Sequence, residues 1–240
     1  MFRIWMAVFG LATAVSAAMG QEGDEGILIP DKGETVLLLH LDEGAGQYVH
    51  DATYNGYHGF IRGAKWVDGR FGKALEFDGE SEVNLYRPEK VDFGKREDFT
   101  VECWIKVPQD LGPGFYFFLA NRLRVDMAGF SLYLHRSGHV VAGIGDKVNQ
   151  VGLHGKSQVN DGAWHHVAIT ADRDGDAVLY LDGVEHDRAG IDHLVTVSNE
   201  QRPLLIGSRG HGTGFVGAID EVRISRGVRT RFLLNGPYEK

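Results

Sequence analysis

Tight turns recur along this chain and set what it can fold into. Asp-Gly stands at Asp68-Gly69, Asp78-Gly79, Asp161-Gly162, Asp174-Gly175 and Asp182-Gly183, and Asn55-Gly56 adds another such pair. Glycine accepts positive φ at no steric cost, which is what two-residue hairpin turns require. Between the turns lie short β-branched and aromatic runs. The plainest hairpin runs from His165 to Ala171, turns across Asp172 to Asp176, and returns through Ala177 to Leu181 before Asp182-Gly183 turns it again. The 33 glycines in 240 residues are about twice the usual share, against only 6 prolines, a balance of turns rather than disordered linker. From Val36 onward no stretch reads as a long capped amphipathic helix; Arg226 to Asn235 alone could make a helical turn. Many strands at close spacing with no linker predict one all-β sandwich or jelly roll.

Charge narrows the partners. With 25 Lys+Arg against 33 Asp+Glu the net charge is -8, which argues against nucleic acid or an anionic membrane as a broad electrostatic partner. Hydrophobic residues at 43% and charged residues at 24% exclude intrinsic disorder. Residues 1–20 carry Arg3, the apolar run Ile4 to Val15 and small residues through Ser16, Ala17, Ala18 and Gly20, the layout of a secretory signal peptide cut before Gln21. That run is too short to serve comfortably as a transmembrane anchor. The expected organisation is a signal peptide at 1–20, an acidic leader at 21–34, one domain at 35–230 and a C-terminal tail at 231–240. The expected location is secreted, periplasmic or cell-surface. The single cysteine, Cys103, shares a strand face with Phe99, Val101, Ile105 and Val107, so it reads as a buried hydrophobe rather than a reactive thiol.

Two carboxylates stand out. Strict alternation through Phe215 to Ile224 would put Asp220 on one face with Val216, Ala218, Val222 and Ile224. An ionised carboxylate there needs a cation such as calcium, or an internal Arg, His or backbone partner. Glu221 and Arg223 would point the other way as a surface pair. Asp51 opens the loop Asp51 to Gly59, whose oxygens could gather around a hard cation or simply form an Asx-turn. Of the histidines, His165 and His166 face opposite sides of a strand and cannot easily share one metal ion, so both read as structural. For a ligand, the aromatic run Phe115 to Phe118 is densest, most of it expected in the core. The segments Asn121 to Met127, Gly145 to Ser157 and Gly207 to Gly214 are the expected loop rim, with His211 within the last.

Several segments, in order, resemble the laminin-G-like, concanavalin-A-like jelly-roll modules of bacterial secreted proteins. They are Leu37 to Gly46, Asp51 to Gly59, Phe71 to Gly79, Gly162 to Thr170 with Leu179 to Gly183, and Phe215 to Ser225. The resemblance implies two antiparallel sheets of about six or seven strands each, in a non-catalytic module that binds glycans or proteins, often with calcium. Asp51 and Asp220 carry the calcium expectation, although Tyr57 stands where the family commonly has Asn or Asp. The fold also hosts glucanases, which need an acid and a nucleophile on one strand face. The nearest string, Glu76-Phe77-Asp78, has Ser81 where a third carboxylate belongs and runs into a turn. The resulting expectation is a non-enzymatic module that binds a glycan, with a protein-interaction or structural role in the cell envelope as the alternative and a divergent glycosidase behind both.

Overall fold

The computed structural model describes residues 33–94, 96–112, 114–122, 128–198, 202–210 and 214–239. The expected signal peptide and all but the end of the leader, and with them His211, lie outside the described residues. Sixteen strands follow in chain order: β1 (Glu34–Leu39), β2 (Tyr48–Val49), β3 (Gly59–Arg62), β4 (Lys65–Asp68), β5 (Lys73–Asp78), β6 (Glu82–Asn84), β7 (Phe99–Lys106), β8 (Phe115–Ala120), β9 (Gly129–His135), β10 (His139–Gly145), β11 (Gln150–Gln158), β12 (Trp164–Ala171), β13 (Asp176–Leu181), β14 (Val184–Gly190), β15 (Leu205–Ile206) and β16 (Val216–Arg226). Among the described residues the only helical piece is a single 3-10 turn, Glu89–Val91.

The strands form two antiparallel sheets of eight, slightly more than the six or seven expected of each. The first runs β14-β13-β12-β7-β16-β5-β4 with β1 also beside β16, and the second β11-β10-β9-β8-β15-β6-β3-β2. Inward-facing residues such as Leu37, Phe77, Val101, Phe118, Leu132 and Ile169 are fully buried between them, each contributing roughly 1.5–3 kcal/mol. Cys103 is in this core, and burial pushes its thiol well above the ordinary range. The hairpin at Asp182-Gly183 forms as expected: both residues have positive φ, 50 and 77, and join β13 to β14.

The phase of β16 differs from the simple alternation. Glu221 sits at φ +47, and the register against β7 shifts between Asp220 and Arg223. This bulge inserts one extra residue, so Ile219, Val222 and Ile224 all reach the core while Asp220 lies opposite Trp104 and Arg223 opposite Glu102. Asp220 is therefore fully buried, but on the outward side of the first sheet rather than on its core face. Glu221 and Arg223 are no surface pair either, at 0% and 3% exposure.

What buries them is the end of the chain. Residues 228–239 contain no helix, contrary to the expectation for 226–235. Phe232, Leu234 and Gly236 are half-buried and Tyr238 is buried, while the residues between them are exposed. This is the period of an extended strand. Tyr238 packs with Leu38 and Trp104, flanked by Phe71, Trp164 and Leu234, in a second, smaller apolar cluster. The expected tail is thus a strap across the outward face of the first sheet.

Candidate functional site

The outward face of the second sheet carries a concavity of about 500 Å³. Alternation along β8 sends Tyr116 and Phe118 into the core and Phe115 and Phe117 outward. Two rings of the run therefore face away from the core, Phe115 exposed and Phe117 buried beneath its neighbours Tyr133 and Arg209. Tyr133 on β9 lies opposite Phe117, stacked at 4.7 Å, and meets the ring of Phe115 edge-on at 5.8 Å. Phe115 is 52% exposed, which a ring serving only the core would not be. Across the sheet, Ser131, Gly143 and Gly152 are directly paired on β9, β10 and β11 and form a floor almost without side chains.

Polar groups stand around this floor. Arg122 donates from Nη2 to Oε1 of Gln150 at 3.0 Å, and Arg209 lies over the ring of Phe117 at 4.3 Å. Burial pushes the Tyr133 phenol above its ordinary range, against the pull of Arg122 and Arg209, so it stays neutral and can donate. Each of the three expected rim segments supplies part of the lining, through Arg122, through Gln150 to Gly152, and through Arg209. Only residues 146–149 of the middle segment form a turn, since β10 ends at Gly145 and β11 covers 150–158. Of the other two, residues 123–127 and 211–213 lie outside the described residues. Sequence reasoning missed Tyr133 and Gly143; the signal was the outward phase of β9 and β10, unreadable until the ends of those strands were known.

A second groove, about 620 Å³, opens on the outward face of the first sheet, with Lys65, Glu76, Asp78 and Lys106 among its walls. Asp78 is a turn cap: Oδ1 accepts from the N–H groups of Glu80 and Ser81, which hold its carboxyl below the ordinary range. A glycosidase acid needs the opposite shift.

Asp51 and Asp220 are not brought into one hydrogen-bonded unit. Oδ1 of Asp51 accepts from the N–H of Leu38 and Thr53, and Oδ2 from the Thr53 hydroxyl and the N–H of Tyr57, at 2.7 to 3.2 Å. This is the Asx-turn arrangement. Asp220 accepts from the N–H of Arg70 and Phe71 on Oδ2 and of Glu221 on Oδ1, at 2.8 to 2.9 Å. Gly69 permits this approach, because a Cβ there would stand 2.7 Å from Oδ2 of Asp220. Burial pushes the Asp220 carboxyl up to about 7, with Glu221 adding to it and the Phe71 and Arg70 N–H groups opposing. Calcium takes six to eight oxygen ligands. Here both carboxylates face N–H donors, and among the described residues no group of three or more His, Cys, Asp or Glu could hold a metal ion. The donor set does not fit a resident calcium ion.

The histidine pair is structural in its contacts. Oδ2 of Asp182 and Oδ1 of Asp161 flank the ring of His165, raising its pKa. Nε2 of His166 faces Oε2 of Glu102 at 3.1 Å, both side chains fully buried. Burial would raise the Glu102 carboxyl, but His166 and Arg223 outweigh it and hold it low.

Comparison with known proteins places this geometry. A family model described as the concanavalin A-like lectin/glucanases superfamily matches residues 77–231. Paraclostridial mosquitocidal protein 1 of Paraclostridium bifermentans is 24% identical over 168 residues, which cover 62% of this chain and 13% of that protein. The crystal structure of its binding domain superposes with a TM-score of 0.67 at 20% identity, covering 81% of this chain and 49% of that one. Domain 4 of AbnA, a GH43 extracellular arabinanase from Geobacillus stearothermophilus, solved in complex with arabinotriose, gives 0.62 at 22% identity, with 82% and 94% coverage. The binding domain of botulinum neurotoxin DC, solved in complex with SialylT, gives 0.58 at 14% identity, with 83% and 48% coverage. The chain spans about half the length of the toxin structures and a small part of the curated toxin it matches.

Proposed function

The chain belongs to the concanavalin A-like lectin/glucanases superfamily, and from that membership we propose that it is an exported, non-catalytic recognition module whose ligand is a glycan. The observation that carries the reading is the exposed ring of Phe115 packed edge-on against half-buried Tyr133 beside a glycine floor. The C–H face of a sugar ring packs on an aromatic face, and its hydroxyls take up donors and acceptors at the rim. Arg122, Gln150, Ser131 and the neutral Tyr133 phenol supply both kinds. The arabinotriose complex of the arabinanase domain and the SialylT complex of the neurotoxin domain support the glycan class.

Catalysis finds little support in either cavity. No Asp or Glu stands among the described residues that line the first, and glycoside hydrolysis needs a pair of them. Export rests on the pattern of residues 1–20. The test is isothermal titration with a panel of plant and microbial polysaccharides, against wild type and Phe115→Ala. Binding by wild type that the variant loses supports the reading. Uniform silence, with capture of a partner protein instead, would replace it by the protein-interaction alternative.

A further inference from the structure

Beneath the strap, on the sheet opposite the glycan site, three buried polar atoms have no partner in the protein: Nε1 of Trp104, Nδ1 of His166 and the hydroxyl of Tyr238. Their residues are 4%, 0% and 2% exposed. Each such group left unmet costs about 1–3 kcal/mol, and native proteins satisfy most of them. The three side chains are neighbours. Trp104 and His166 are directly paired on β7 and β12 with ring centroids 5.4 Å apart, and Tyr238 stands perpendicular to His166 at 6.2 Å.

The chemistry of the set specifies the occupant. Glu102 takes Arg223 at 2.7 Å on Oε1, so it is ionised and Nε2 of His166 donates to its other oxygen. On a neutral ring the remaining Nδ1 offers a lone pair. The indole N–H can only donate, and the phenol can do either. An anion could not donate to Nδ1, and a cation could not accept from the indole. A hydroxyl group does both. We propose that Trp104, His166 and Tyr238 together hold a hydroxyl, supplied by one water molecule that the C-terminal strap seals in. Three hydrogen bonds to otherwise unmet groups are the usual complement of an internal water.

The test uses the full chain. Water-selective nuclear Overhauser spectra should show a long-lived cross-peak from water to the Trp104 indole proton, and the His166 nitrogens should report a neutral ring protonated on Nε2. A crystal structure with ordered solvent should place one oxygen within about 3.2 Å of all three atoms. Tyr238→Phe should shorten the life of that cross-peak. An indole proton with no water contact, a dry site, or a His166 ring protonated on Nδ1 would overturn the proposal, and the first two need no variant to fold. Glycan binding is read separately, so its failure leaves this result untouched.

Discussion

Arg223 grips Glu102 through two nitrogens, Nε at 2.8 Å and Nη2 at 2.7 Å, on a sheet face where their side chains are 4% and 0% exposed. Tyr238 closes over the pair, its ring 4.1 Å from the guanidinium carbon, and Oε2 of Glu221 accepts from the Tyr238 N–H at 2.9 Å. The strap is therefore anchored by charge beneath as well as by apolar contact.

Breaking that pair strands a buried charge. Arg223→Met should lower the free energy of unfolding by roughly 3–5 kcal/mol in urea denaturation. The double variant Glu102→Gln/Arg223→Met should recover much of the loss, since it removes both buried charges and keeps an oxygen for Nε2 of His166. A single variant as stable as wild type would contradict the arrangement.

Stability should fall as pH rises from the acid side towards neutrality. Burial raises the Asp220 carboxyl to about 7, and the hydrogen bond that His40 Nδ1 donates to the Glu221 carboxylate raises the His40 imidazole. Both folded values lie above the unfolded ones, so the native state binds more protons. The Asp220 contribution is complete below its unfolded value and is lost as pH rises through about 7. The His40 contribution is likewise lost as pH rises through its raised value. Glu102 and Asp182 are depressed and act in the opposite sense, their contribution lost in acid. Melting temperature should therefore peak at acidic pH, decline by a few degrees as pH rises towards about 7, and level off once Asp220 and His40 are both deprotonated in the folded state. Asp220→Asn should flatten that decline, and a melting temperature still climbing from pH 6 to 8 would refute it.

Gly152 offers a clean way to fill the glycan floor. A Cβ there meets only the His154 ring, at an ordinary 3.5 Å, so Gly152→Leu should fold with a melting temperature near that of wild type. It should abolish polysaccharide binding by occupying the concavity. Unchanged affinity would move the ligand elsewhere.

Cys103 should be inert. Its thiol is fully buried and pushed upward by that burial, so native protein should leave a thiol-specific disulfide reagent unconsumed, with one equivalent consumed after denaturation. Fast native reaction would show that the core opens.

The sequence carried the architecture further than it carried the site. Turns such as Asp182-Gly183 and alternation such as Phe99 to Val107 are local signals, and both survive in the fold. Asp220 shows where local rules stop. One bulged residue, Glu221, reverses the phase of half a strand, and no pattern in Phe215 to Ile224 announces it. The strap is similar, since Phe232, Leu234 and Tyr238 alternate across Asn235-Gly236, a pair that reads as a turn, and their meaning depends on which sheet face they meet. At the concavity, Arg122, Gln150 and Arg209 come from the segments singled out in the sequence. Tyr133 and the glycine floor needed the register of four strands before their common face could be seen.

Calcium can be settled beside these. With Asp51 and Asp220 met by N–H donors, millimolar calcium and excess chelator should give the same melting temperature. A rise with calcium alone would place a metal ion where the donor set has no room for one.

The most direct measurement is titration calorimetry of a polysaccharide panel against wild type and the double variant Phe115→Ala/Tyr133→Ala. The account predicts that at least one polysaccharide binds wild type and that the double variant loses at least tenfold in affinity, about 1.4 kcal/mol, while retaining its melting temperature within a few degrees. Binding that survives loss of both rings, or no binding across the panel, would contradict it.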